Sequence, residues 1–80
     1  MSLVELTEYI VKNIVKNKED VSVKEYDSDD ITTIEVLVAS QDMGLIIGAK
    51  GRTINAIRTV VETSSYANNN KKVIINVDTI

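Results

Sequence analysis

Asp42-Met43-Gly44-Leu45-Ile46-Ile47-Gly48-Ala49-Lys50-Gly51-Arg52-Thr53-Ile54 holds all three glycines of the 80-residue chain, and two of them frame the quartet Gly48, Ala49, Lys50, Gly51 inside an apolar run. Glycine lacks a Cβ, so such a turn takes up dihedrals closed to other residues and lets a ligand touch the main chain. A helix starting just after it aims N–H groups and the positive end of its dipole at an anion. Two glycines three apart arise by chance in about a third of chains this long. The spacing alone therefore decides little, and its surroundings decide more.

Upstream, Ser2 followed by Glu5 forms a capping box, and Leu3, Leu6, Ile10, Val11, Ile14 and Val15 recur at helical spacing, which predicts a first helix from Leu3 to Asn17. Val21, Val23 and Tyr26 read as a short extended segment, and Asp27, Ser28, Asp29 and Asp30 as a polar turn. Ile31 to Ala39 alternates Ile34, Val36 and Val38 against Thr33, Glu35 and Leu37, the pattern of a strand with one buried face. These two segments predict a hairpin. A short helix carrying Met43, Leu45, Ile46 and Ile47 breaks at Gly48, and a longer helix begins near Arg52 with Ile54, Ile57, Val60 and Val61 as its apolar stripe. Asn68 to Asn70 end that helix, and Lys72 to Asp78 reads as a last strand with Val73, Ile75 and Val77 on its inner face. The order is helix, strand, strand, helix, helix, strand. It predicts one α+β domain over residues 1–80, a three-stranded mixed sheet covered by three helices in two layers.

Composition narrows the chemistry. The chain has neither cysteine nor histidine, which removes disulfides, thiolate zinc sites and the commonest general base, and makes a non-catalytic protein the expectation. No catalytic residue, metal ligand or cofactor is assigned. No basic segment followed by an apolar run opens the chain and no stretch is long enough to cross a bilayer, so the expectation is a cytoplasmic protein without a membrane partner. The net charge of −3 is unevenly spread: residues 1–39 carry −5, residues 40–72 carry +3, and Asp78 supplies the rest. The glycine turn lies in the basic part, which suggests a local anion site on an acidic body.

Ile46, Ile47, Gly48, Ala49, Lys50, Gly51 and Ile54 match the signature of the K-homology (KH) domain: an apolar pair, Gly-x-x-Gly, and an isoleucine beyond it. The chain resembles type II KH domains over its full length, and among them the KhpA family of small bacterial proteins, through Asp42 and Gly44 before the motif and Arg52, Thr53, Ala56, Ile57, Arg58 and Thr59 after it. It departs from that family in having Leu45 and Ala49 where basic residues are usual, which implies weaker binding.

The resemblance implies a protein that binds single-stranded RNA as a chaperone or post-transcriptional regulator. Its Gly-x-x-Gly loop at residues 48–51 would clamp the backbone of about four nucleotides. Gly48, Ala49, Lys50 and Gly51 would form the clamp, with N–H groups of Gly51 and Arg52 on the phosphates and Lys50 and Arg52 adding charge. Ile47 and Ile54, with Ile46 or Leu45, would line the groove for the bases, and Arg58 would reach a phosphate or a base edge. No small-molecule substrate is implied. Partners implied are a second copy or a KhpB/Jag-like KH protein, and the second long helix is the candidate interface, its stripe of Ile54, Ile57, Val60 and Val61 with Ala56 being more than one small sheet covers.

Blander readings stand beside these. Apolar residues at helical spacing are usually packing residues, so Ile47 and Ile54 serve core, groove or both. Arg58 has a competing partner in Glu62 four residues on, and Lys71 and Lys72 either flank a strand as a solvated loop or extend the basic surface. Asp27, Asp29 and Asp30 lack the later ligands of a calcium loop and read as a turn. The partial likeness of Gly44, Gly48 and Lys50 to a nucleotide-binding P-loop fails on spacing and on Gly51, which stands where a hydroxyl is needed. A protein-assembly module with weak or no RNA binding, tied to cell division or envelope growth, is the alternative function.

Overall fold

The structure, a computed structural model, describes residues 2–68 and 71–80. Helix α1 (Leu3–Lys12) opens with the predicted capping box: Glu5 N–H donates to Ser2 Oγ at 3.1 Å and Ser2 N–H to Glu5 Oε1 at 3.0 Å. The backbone and hydroxyl of Ser2 hold the Glu5 carboxyl below its ordinary pKa. Strands β1 (Ser22–Asp27) and β2 (Ile31–Val38) form the expected antiparallel hairpin, closed by Ser28 N–H on the Ile31 carbonyl at 2.9 Å. Helices α2 (Met43–Ile47) and α3 (Arg52–Asn68) then carry the chain across to β3 (Lys72–Thr79), which pairs parallel to β2. A parallel partner requires such a crossover. The order β1-β2-β3 makes a three-stranded mixed sheet beneath three helices, the predicted α+β architecture.

Period-two patterning sets which face of the sheet is buried. Thr32, Ile34, Val36 and Val38 of β2 and Val73 and Ile75 of β3 lie in the core, while Thr33, Glu35, Leu37, Ile74 and Asn76 do not. In register, Ile34 stands beside Ile75 and Val36 beside Val77, so the two strands present one continuous apolar surface to α1 and α3. Val11 and Val15 reach it from the first helical segment, Ile46 from α2, and Ile54, Ile57 and Val61 from α3. Buried hydroxyls are paired: Thr7 donates to the Leu3 carbonyl at 2.7 Å, and Ser65 to the Lys71 carbonyl at 3.0 Å.

One boundary and one burial assignment differ from expectation for identifiable reasons. The first helix stops at Lys12 rather than Asn17: Asn13 caps it with its side-chain amide on the Tyr9 carbonyl at 2.7 Å, Ile14 N–H bonds the Val11 carbonyl three residues back at 3.0 Å, and further on the N–H groups of Lys16 and Asn17 go to the carboxylate of Asp42, at 3.3 and 3.0 Å. Val60 is 48% exposed and outside the core, where the spacing of Ile54, Ile57 and Val61 is continued instead by Ser65. Helix α3 reaches Asn68; Asn69 and Asn70, assigned to its termination, lie outside the described residues. Among the described residues no helix is long and apolar enough to cross a membrane.

Candidate nucleic-acid interface

The turn between α2 and α3 is built by three residues with positive φ: Gly48 (φ 76°), Lys50 (φ 57°) and Gly51 (φ 75°). Gly48 N–H closes α2 on the Gly44 carbonyl at 2.9 Å, and with ψ at 171° it then takes a conformation that is open essentially to glycine alone. Space demands glycine here as well. A Cβ on Gly48 would overlap the Thr53 hydroxyl and stand 2.9 Å from the Thr53 backbone nitrogen, so the first turn of α3 sits directly against the bare Gly48 backbone. At Gly51 conformation is the reason, since the nearest atoms to a Cβ are ordinary contacts at 3.8 and 3.9 Å.

The loop closes on itself. Gly51 N–H donates to the Gly48 carbonyl at 3.2 Å and Arg52 N–H to the Ala49 carbonyl. Both amides expected to meet a phosphate are therefore already engaged inside the turn. What the turn offers outward is the exposed Ala49, the cations of Lys50 and Arg52, also exposed, and glycine backbone without side-chain cover. Neither cation joins the ion pairs found among the described residues, Lys12 with Glu8 and Lys71 with Asp27.

Apolar residues beside the turn divide between two roles. Ile46 is fully buried and Ile54 is 7% exposed, so both belong to the core, whereas Leu45 at 41% and Ile47 at 37% remain open to solvent. Of the two alternatives for the groove lining, Leu45 is thus the available one. Arg58, half-buried on α3, donates through Nη1 to Asn55 Oδ1 at 2.9 Å, and Asn55 rather than Glu62 is its partner. Lys71 is committed elsewhere: its ammonium bonds Asp27 at 2.7 Å and the Ser28 carbonyl at 2.7 Å, tying the acidic turn to the start of β3. Lys71, with Thr32 as second donor, holds the Asp27 carboxyl below its usual pKa, so that aspartate is a structural acceptor.

Two supporting residues carried no assigned role in the sequence reading. Thr53 is the steric reason for Gly48, a relation invisible until the helix folds back on the turn. Asp42, 1% exposed and one residue before α2, receives the N–H groups of Lys16 and Asn17 and the Asn17 side-chain amide at 3.0 Å. Burial pushes its carboxyl pKa up, but these donors outweigh burial and hold it below the ordinary value. The start of α2 is thereby fixed to the end of the first helical segment.

Residues 4–77 match the family model described as KhpA/KhpB, KH domain. The chain is 41% identical to the RNA-binding protein KhpA of Clostridium perfringens over 70 residues, covering 88% of this chain and 93% of that protein. It is 44% identical to the protein of the same name from Chlamydia caviae over 63 residues, covering 79% and 81%, and 36% identical to that of Thermotoga maritima over 73 residues, covering 91% and 95%. Among solved structures it superposes on an Aquifex aeolicus Era variant bound to GDP and tetrafluoroaluminate with a TM-score of 0.72 at 14% identity. A second match is Era in complex with MgGDPNP and nucleotides 1506–1542 of 16S ribosomal RNA, with a TM-score of 0.68 at 16% identity. Each match covers 96% of this chain but 29% of the Era chain, so the likeness is one of fold over under a third of that larger protein.

Proposed function

The chain belongs to the KhpA/KhpB KH-domain family, a non-catalytic fold, and from that premise we propose that it binds single-stranded RNA through the Gly48–Gly51 loop. Residues 1–80 act as one KH unit in the cytoplasm, as an RNA chaperone or post-transcriptional regulator. The loop takes the backbone of about four nucleotides. Lys50 and Arg52 pair with phosphates, Ile47 and Leu45 meet the bases with Ile54 behind them, and Arg58 reaches the strand from the next turns of α3. The observation carrying this reading is the turn itself: two positive-φ glycines that leave the backbone bare, with Lys50 and Arg52, in no ion pair among the described residues, and two uncovered aliphatic residues beside it.

Changing Ala49 and Lys50 together to aspartate tests it. The substitutions are at exposed positions, so circular dichroism and the thermal midpoint should hold their shape while ultraviolet crosslinking to RNA disappears. Unchanged crosslinking would remove the loop from the binding site.

A four-nucleotide footprint binds weakly alone, and pairing two KH units raises effective concentration. Pairing, with a second copy or a KhpB/Jag-like partner, is assigned to the outer side of α3, not to the stripe of Ile54, Ile57 and Val61, which the core occupies. Ala56, Val60, Thr63, Tyr66 and Ala67 are exposed there with no charge among them. The Thr63 hydroxyl is turned back to the Thr59 carbonyl at 2.8 Å. That uncharged face favours the assembly reading as well, and the aspartate variant separates the two: an assembly module keeps its partner and never needed the loop.

A further inference from the structure

Asn55 is exposed on α3 one helical turn beyond Gly51, and its amide nitrogen lies 3.8 Å from the place that a Cβ on Gly51 would occupy. The side chain thus stands directly beside the glycine turn. Its oxygen accepts Arg58 Nη1–H at 2.9 Å, while the Nδ2 protons meet no partner among the described residues. Gly51, Asn55 and Arg58, spaced four and three residues apart, form one ridge running up the helix from the turn. Ala56, Val60 and Thr63 lie on a different side of α3.

The hydrogen bond to Arg58 fixes what this pair can recognise. A guanidinium carries only donors, so it draws the carboxamide oxygen, the one side-chain acceptor of the pair, to itself. What remains for a ligand is the Nδ2 amino group and the other guanidinium N–H groups, an array of donors. Such an array binds acceptors. A phosphate would satisfy it, but Lys50 and Arg52 already hold cations at the turn, and a neutral amide adds little attraction for an anion. A base edge suits it better, because carboxamides and guanidinium groups together match the acceptor and donor pattern of bases. Guanine offers O6 and N7 and uracil offers O4, whereas cytosine and adenine set an amino group at the corresponding place. Donor would then face donor, and both would lose their partners.

We propose that Asn55, oriented by its hydrogen bond to Arg58, selects the base of the nucleotide next to the Gly48–Gly51 clamp, favouring uracil or guanine over cytosine or adenine. This rests on the RNA-binding reading above. Lys50 and Arg52 supply affinity without regard to sequence, and Asn55 supplies the discrimination.

Short fluorescein-labelled oligouridine and oligocytidine of equal length test it by anisotropy, since the two pyrimidines match in size and differ in the O4 acceptor and the N4 donor. Wild type should bind oligouridine about tenfold more tightly. Asn55→Ala removes the amide from an exposed position and should bring the ratio of the two dissociation constants close to one, at an unchanged salt slope. Asn55→Asp can still accept from Arg58 but exchanges the outward donors for acceptors, so its ratio should fall to one or reverse. A purely structural asparagine predicts the wild-type ratio for the aspartate variant, and that result would overturn the inference. Wild type that binds both oligomers equally would also overturn it and leave the RNA-binding reading intact. Wild type that binds neither, even at low salt, would overturn both. Equal weakening of the two oligomers by alanine would place the pair on the sugar-phosphate backbone, against base selection.

Discussion

The buried Asp42 carboxylate accepts the backbone N–H of Asn17 at 3.0 Å across 25 residues of sequence, and the same oxygen accepts the Asn17 side-chain amide at 3.0 Å. Through this aspartate the end of the first helical segment and the start of α2 become one unit, and α2 leads directly into the glycine turn. Asp42→Asn sets an amide N–H₂ against donors that need an acceptor. The variant should melt below wild type at neutral pH. The folded pKa is depressed below the usual aspartate value of about 3.9, so the stabilisation is complete above that value and is lost as pH falls through the folded pKa. Calorimetry across the acid range should therefore show the two proteins converging as the wild type loses its advantage. Equal midpoints at neutral pH would mean that the carboxylate does not hold this junction.

Gly48 and Gly51 answer different demands, and substitution separates them. Gly48→Ala imposes both a forbidden conformation and an overlap with Thr53, and should cost about 3 kcal/mol or more. Gly51→Ala meets only the conformational penalty, about 1 kcal/mol. Thr53→Ala removes the hydroxyl but leaves the Thr53 backbone nitrogen 2.9 Å from the new Cβ, so it should not rescue Gly48→Ala. Urea denaturation of the three single variants and the Gly48–Thr53 double variant checks the order. Equal costs at the two glycines would show that the overlap relaxes freely.

What the chain discloses in sequence depends on how far away the deciding partner lies. Strands β2 and β3 were readable because Ile34, Val36, Val38, Val73 and Ile75 alternate on their own, and the capping box because Ser2 and Glu5 are three residues apart. The path of the chain after α1 was not readable, since Asp42, far along the sequence, takes the N–H groups of Lys16 and Asn17 that a continued helix would have used. Val60 and Val61 look alike in sequence and are separated only by the 100° turn of a helix, which buries one and exposes the other. In the turn, the glycines announced an unusual backbone. That Gly51 and Arg52 would direct their amides inward, and that Lys50 would take the left-handed conformation, follows from the closed geometry of the loop, which no pattern of residue types specifies.

Lys50 combines strain with charge, and the two can be measured apart. At φ 57° a lysine pays a left-handed penalty of about 1–2 kcal/mol that glycine avoids, offset in part by the greater freedom of glycine in the unfolded chain. Lys50→Gly should therefore raise stability slightly, by up to about 1 kcal/mol. RNA affinity should fall, and the slope of log K against log salt should shrink by about 0.7, the loss of one phosphate contact on a single strand. Greater stability with an unchanged slope would place the Lys50 ammonium away from the phosphates.

Ile46 and Ile47 are chemically identical neighbours on α2, one fully buried and the other 37% exposed, and alanine at each should produce opposite signatures. Ile46→Ala opens a cavity among Val38, Ile57 and the other core residues and should cost about 2–5 kcal/mol, enough to unfold much of so small a domain. Ile47→Ala removes a side chain that water already reaches, so its stability cost should stay below about 1 kcal/mol. If Ile47 meets bases, its loss should nonetheless weaken RNA binding by about tenfold, equivalent to about 1.4 kcal/mol, with the salt slope untouched because no charge has been removed. Thermal melts paired with anisotropy titrations at two salt concentrations resolve these effects. A steeply destabilised Ile47→Ala would return this residue to the core, and a folded variant with full RNA affinity would remove it from the groove.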